Sequence, residues 1–246
     1  MPLIDAHCHS ETAQFVQYLK RQRVYATLNC GTPAEFEQNQ HWVEKAPHIQ
    51  LSAGIHPWQA DQLTFAEMQP ILDQVDIIGE IGLDNVWTKV PLTQQQPIFT
   101  QQLAYAEKQH KPVIIHTKGP NELTLQTMRA YFNTYLIHWY DDLTGLKQLI
   151  DLGCYFSIGP SFSQEAAIQT LIQKVPLTQV LIESDGLGGM SWALNQELTL
   201  KAYTERLQAV TQVLAQRHHL SVPVMQKQLI QNLTRFWQGQ PGNEGD

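Results

Sequence analysis

Pro112-Val113-Ile114-Ile115-His116-Thr117 reads as a buried strand that ends on a titratable side chain. Three consecutive β-branched residues suit a strand covered on both faces, as in a parallel sheet. Leu136-Ile137-His138 and Val180-Leu181-Ile182, the latter running into Glu183-Ser184-Asp185, repeat the order of apolar run and then polar terminus. Working outward in both directions, comparable runs fall at residues 3–9, 24–30, 49–56, 76–83, 112–117, 135–140, 154–160 and 180–185.

The stretches between these runs carry helix signals. Thr32-Pro33-Ala34-Glu35 places a capping Thr, a proline at the first helical position and a Glu three residues past the cap, and Thr64 to Glu67 repeats the spacing. Asn121 and Ser163 are further cap candidates, and Gly153 is placed to end a helix that begins near Asp141, with Leu143, Leu146 and Ile150 facing the sheet. Helical stretches at about residues 196–218 and 222–237 finish the chain. Alternation alone also fits a doubly wound open sheet. The count of strands, and polar residues at one strand end after another, favour a single-domain α/β fold over residues 1–246, a (β/α)8 TIM-type barrel.

Composition narrows the function. With 43% hydrophobic residues the chain can bury a sizeable core, and a net charge of -7 gives no global attraction for nucleic acid. Glutamine supplies much of the remaining polarity without forming a low-complexity tract. Cys8, Cys30 and Cys154 are far apart and unpaired in number, which suits free buried thiols in a reducing compartment. No basic region precedes an apolar run at the N-terminus, and no stretch has the ~18 apolar residues of a membrane span. The expectation is a cytoplasmic protein with no membrane association and no protein partner.

Of the ten histidines, His7, His9, His56, His116 and His138 fall at expected strand ends, while His41, His48, His110, His218 and His219 fall where solvated side chains are expected. His7 and His9 share one face of a strand and Cys8 points the other way, which gives half a metal site, although an HxH pair alone fits packing equally well. Glu80, in Gly79-Glu80-Ile81-Gly82-Leu83-Asp84, is a carboxylate on an apolar strand and calls for a cation beside it. Asp185 closes the last strand in the same way, with Glu183 deeper on the same face. Taken together at one barrel mouth, these residues are hard to explain as packing.

These strings, with Gly54-Ile55-His56-Pro57 and the ending Asn232-Leu233-Thr234-Arg235-Phe236, resemble the TatD-like metal-dependent hydrolases in order and spacing over nearly the whole chain. The resemblance implies that His7, His9 and Asp185 hold one divalent ion, and that Glu80 bridges to a second completed by His116 and His138. It places His56 near the substrate. It further implies a phosphodiesterase or deoxyribonuclease that uses water activated by two ions (Zn, Mn or Mg), with Asp185 and Glu80 as the catalytic carboxylates.

The chain departs from the family on the substrate side. Thr117-Lys118-Gly119 follows His116 where the family has a small residue, an Arg and an acid, which leaves Lys118 as the cation for a phosphate. Trp139, Tyr140, Asp141 and Asp142 follow His138, where they are expected to narrow the mouth and repel a polyanion. A small phosphoester or short single-stranded DNA is the expected substrate. A hydrolase of a small phosphate ester, amide or lactone is the alternative chemistry, and a metal-binding protein without catalysis is the alternative class.

Overall fold

The computed structural model describes residues 2–243; positions 1 and 244–246 of the expected 1–246 domain lie outside the described residues. Eight parallel strands follow one another around the sheet in sequence order: β1 (Ile4–His9), β2 (Tyr25–Cys30), β3 (Ile49–Ala53), β4 (Ile77–Asp84), β5 (Val113–Lys118), β6 (Tyr135–Ile137), β7 (Tyr155–Ile158) and β8 (Val180–Ile182). The expected strand at 112–117 is β5, and every residue from Val113 to His116 is buried. Helices α1 (Ala13–Gln22), α2 (Pro33–Trp42), α3 (Phe65–Leu72), α4 (Leu92–Gln109), α5 (Asn121–Met128), α6 (Leu146–Asp151) and α7 (Ala166–Lys174) alternate with the strands, and α8 (Gly186–Leu194), α9 (Leu200–Arg217) and α10 (Val222–Trp237) complete the chain. This is the barrel that the alternation predicts.

The first and last strands meet at a seam. The Asp185 amide donates to the His7 carbonyl at 3.1 Å. Beside it the buried Asp5 carboxylate accepts from the Ser184 amide (2.9 Å), the Ser184 hydroxyl (2.5 Å) and the Tyr203 hydroxyl of α9 (2.8 Å). Burial pushes the Asp5 carboxyl up to about 6 against the opposing pull of these donors. Register slips at two places only within the paired segments, between Asp5 and Cys8 on β1 and between Ile78 and Ile81 on β4. These irregularities flank His7 and Glu80, where bulges commonly re-aim a side chain.

Local chemistry explains most helix starts. Thr32 accepts from the Glu35 amide, and Thr64 forms a full capping box with Glu67, each cap contributing about 1 kcal/mol. Other expectations are corrected. Asn121 is already inside α5 and donates to Asp142, and Ser163 precedes the cap position of α7, Glu165, by two residues. The helix expected from Asp141 begins at Leu146, because Gly145 in a left-handed conformation sets its entry, and Leu143 is therefore exposed. The stretch expected at 196–218 is the single helix α9, which starts at Leu200 behind its Thr199 cap, and it is preceded by α8, a helix not expected from the sequence that starts directly at Gly186. The strands expected at 49–56, 135–140, 154–160 and 180–185 end earlier than their apolar pattern, since their last residues turn out of the ladder toward the mouth. His48 and His218 are half-buried, unlike the exposed His41, His110 and His219. All three cysteines are free and buried, as expected. Among the described residues no helix is long and apolar enough to cross a membrane.

Candidate metal centre

The six expected ligand residues converge on one pocket at the C-terminal end of the strands. Glu80 lies at the centre, only 3% exposed, and its two oxygens face different partners. Oε2 lies 3.2 Å from His7 Nε2 and 3.5 Å from His9 Nε2. Oε1 lies 2.8 Å from His116 Nδ1, 3.0 Å from His138 Nε2 and 3.4 Å from His56 Nε2. Asp185 Oδ1 closes the first group at 3.4 Å from His7 Nε2 and 3.5 Å from His9 Nε2.

The separations around His7 and His9 suit an ion better than hydrogen bonds. Ligand atoms on a tetrahedral ion at about 2.0–2.1 Å lie roughly 3.3 Å from one another, and the four contacts among His7, His9, Glu80 and Asp185 span 3.2–3.5 Å. Both ring nitrogens of the buried His7 lack a hydrogen-bond partner, a costly state unless something else engages them. His7 with His9 and Asp185, His7 with Glu80 and His138, and His56 with Glu80 and His116 each bring three ligand atoms within 4.8 Å.

Neighbouring groups set which imidazole nitrogen is free. Asp84 Oδ2 lies 3.1 Å from His116 Nε2, where it would hold the ring proton when an ion takes Nδ1. Glu183 Oε1 sits 3.3 Å from His138 Nδ1 and plays the corresponding part, and the Ser157 hydroxyl holds its other oxygen at 2.6 Å. His56 is arranged the opposite way. Its Nδ1 accepts from the Trp58 amide at 3.2 Å, so the neutral ring carries its proton on Nε2 and offers Glu80 a donor. Burial pushes the His56 pKa down despite Glu80, which keeps this ring neutral.

The centre is electrostatically coupled. Burial alone would raise the Glu80 carboxyl, but the surrounding imidazoles hold it well below the usual range. Burial and His138 push His7 down, and Glu80 with Asp185 more than reverse this, lifting it to about 9. Asp185 is also held below its ordinary value by His7, His9 and His138 against its burial. Of the carboxyl groups that touch these rings, Glu80, Asp84 and Asp185 are shifted toward the ionised form.

Further residues hold the ligands in place, and several were not singled out from the sequence. Asn29 Oδ1 accepts from the Glu80 amide (2.6 Å) and from Ser52 (3.1 Å). Two buried glutamines of α4 brace the mouth loops. Gln102 bonds both the amide (2.7 Å) and the carbonyl (3.1 Å) of Ile55, and Gln95 does the same for Asp84 at 2.8 and 2.6 Å. An added Cβ at Gly189 would fall 2.6 Å from Asp185 Oδ2, so that position must stay bare for the carboxylate to lie where it does. Asp84 had a readable signal, since it stands four residues past Glu80 on a strand of period two. Asn29 and the glutamines, uncharged and within ordinary patterns, had none.

The pocket above the centre has a volume of about 870 Å³ and is lined by His9, Glu80, His116, His138 and Asp185 together with Trp58, Trp87, Trp139 and Trp192. Lys118 contacts Asp141 directly and sits 4.3 Å over the Trp87 ring. Tyr140, expected at the mouth, is instead buried and bonded to the Thr144 carbonyl, and Asp142 caps a turn through Thr144.

Comparison with known proteins identifies the family. A model of the family described as TatD related DNase matches residues 4–238. The chain is 24% identical, over an alignment of 263 residues, to deoxyribonuclease TATDN3 of Homo sapiens, with 96% of this chain and 94% of that protein covered. It is also 24% identical to the uncharacterized metal-dependent hydrolase YcfH of Escherichia coli K12, over 75% of this chain and 77% of that protein. The solved structure of YjjV, a TatD homolog from Escherichia coli K12, shares the fold with a TM-score of 0.81 at 20% identity, covering 96% of this chain and 97% of that one. With its relatives named as metal-dependent hydrolases and three side-chain groups able to take an ion, the chain belongs to the TatD related DNase family and is a metal-dependent hydrolase.

Proposed function

We propose that the chain hydrolyses phosphodiesters at a two-ion centre, and the division of Glu80 between two sets of imidazoles carries this reading. His7, His9, Asp185 and Glu80 Oε2 would hold one ion; Glu80 Oε1, His116 Nδ1 and His138 Nε2 would hold the other. Zinc and manganese suit this mixed donor set, and magnesium suits it less. Bound ions would lower the pKa of a water and polarise the phosphoryl group.

The chain's own groups supply the rest. Asp185, 25% exposed and kept ionised, is placed to accept a proton from the attacking water. The water oxygen bonds to phosphorus, the P–O bond to the leaving alcohol breaks, and a proton returns to the leaving oxygen. His56 offers its Nε2 proton at the pocket wall, and Lys118 is the cation placed to orient a phosphate oxygen. The full length from 1 to 246 acts as one domain in this reading.

The direct test is hydrolysis of bis(p-nitrophenyl) phosphate by protein loaded with Zn or Mn, beside Glu80→Gln. The parent should turn over and bind up to two ions by elemental analysis, and Glu80→Gln should lose at least one ion and the activity. A parent that binds no metal in excess Zn or Mn refutes the reading. A loaded parent that opens lactones or amides and no phosphodiester leaves the centre standing and replaces the substrate.

A further inference from the structure

Above the carboxylate and imidazole floor, one pocket wall is built of indoles. The Trp87 and Trp192 ring centroids are 5.6 Å apart at 77°, and those of Trp139 and Trp192 are 6.5 Å apart at 71°, so the three rings form one edge-to-face surface. They come from three separate segments: the loop after β4, the residue two past the end of β6, and α8. Gly159 makes room for this wall, since a Cβ there would lie 2.9 Å from the Trp139 ring. Trp192 is nonetheless 68% exposed and Trp87 48% exposed. Large apolar faces held open beside a pocket mark a binding surface. The wall also stands close to the chemistry, with the Trp87 ring 6.3 Å from that of His116.

Charge limits what this wall can receive. Glu11, Glu35, Asp141 and Glu165 share the mouth with a single ammonium, Lys118, which is already against Asp141. A nucleic-acid strand would lay successive phosphates along these carboxylates, whereas strand-binding grooves track the backbone with positive charge. An uncharged ring meets no such repulsion and gains the indole faces.

We propose that Trp87, Trp139 and Trp192 form the subsite for an uncharged aromatic ring joined close to the scissile phosphate. The preferred substrates are then small nucleoside or aryl phosphodiesters, in place of nucleic-acid strands. The substrate preference rests on the hydrolase reading above; the ring subsite does not.

Two measurements on the metal-loaded protein test this. In a ligand-observed NMR titration, adenosine should bind saturably and ribose should not, and Trp192→Ala should weaken adenosine by about fivefold or more. Trp192 is exposed, so its removal leaves the core intact. Absence of saturable adenosine binding, or unchanged affinity in Trp192→Ala, overturns the subsite. In steady-state kinetics, kcat/KM should be higher for a dinucleoside phosphate than for a long single-stranded oligodeoxyadenylate, and Trp192→Ala should raise KM for the dinucleotide with kcat kept. Preference for the long strand overturns the assigned substrate class. Adenosine binding without turnover of any ester supports the ring subsite and refutes the phosphodiesterase reading instead.

Discussion

Asp84 Oδ2 and His116 Nε2 lie 3.1 Å apart, on the side of the imidazole opposite the Glu80 oxygen that faces Nδ1 at 2.8 Å. One carboxylate therefore orients the ring that meets another. Asp84 is itself fixed, accepting from Trp58 Nε1 at 2.7 Å and from the amides of Val86 and Trp87 at 2.8 and 2.9 Å. Asp84→Asn should weaken binding of one ion by about 10- to 100-fold, the usual consequence of removing a group that orients a ligand. Isothermal titration with Zn would read this, with circular dichroism checking the fold. Unchanged affinity for both ions would show that His116 needs no such support.

Metal affinity should rise steeply with pH. In the metal-free centre His7 holds its proton up to about 9, and an ion can take the ring only after that proton leaves. Affinity should climb between pH 6 and 9 and then level, with protons released on binding that titration in two buffers can count. The stability of the metal-free protein has the opposite slope. A raised imidazole pKa stabilises the fold fully below the ordinary histidine value, and that contribution fades as pH rises through about 9. Melting temperatures of metal-free protein across this window should fall, and those of loaded protein should not.

Two glycines should fail differently when given a methyl group. At Gly82 the new Cβ would meet the His116 carbonyl oxygen of the neighbouring strand at 1.7 Å, so Gly82→Ala should break the pairing of β4 with β5 and yield little soluble protein. At Gly189 the three nearest atoms all belong to the Asp185 side chain. Gly189→Ala should therefore keep its melting temperature within a few degrees of the parent while losing roughly 100-fold in kcat, because a misplaced catalytic group loses about that much. Equal loss of stability in both variants would contradict this division.

Lys118 and Asp141 should have opposite effects on turnover. Lys118→Ala removes the one ammonium at the mouth and leaves Asp141 unpaired, so KM for a phosphodiester should rise roughly tenfold, the value of a charged hydrogen bond. Asp141→Asn frees the same ammonium, and KM should fall several-fold. Neither change touches the metal-facing residues, so metal content should match the parent in both. Identical kinetics in the two variants would remove Lys118 from substrate binding.

The barrel was legible where strands announced themselves twice, as β5, β6 and β8 do, by an unbroken apolar run and by the polar residue that follows it. Val113 to His116 shows both, and the structure buries every residue of that run. Helix boundaries were read well where a side chain makes the cap, as at Thr32 and Thr64, and poorly where backbone geometry makes it, as at Gly145 and Gly186. The convergence of His7, His9, Glu80, His116, His138 and Asp185 could be read from strand ends because a barrel gathers those ends at one mouth. The split of Glu80 between two sets of nitrogens could not, and was expected only from the family resemblance; a register slip between Ile78 and Ile81 lies beside it. The tryptophan wall was only partly visible: Trp139 adjoins a ligand in sequence, whereas Trp87 and Trp192 come from segments that the fold alone brings together.

The seam between β1 and β8 gives the centre an order of assembly. His7 lies on the first strand and Asp185 just past the last, yet the Asp185 amide bonds the His7 carbonyl, and Asp5 ties the same junction to Ser184 and Tyr203. During synthesis the first histidines emerge early and wait through most of translation for their carboxylate. A chain that has not reached Asp185 thus lacks the carboxylate that completes the group with His7 and His9. An ion held from both sides of this seam would act as a clasp, making loss of metal and opening of the barrel two views of one event.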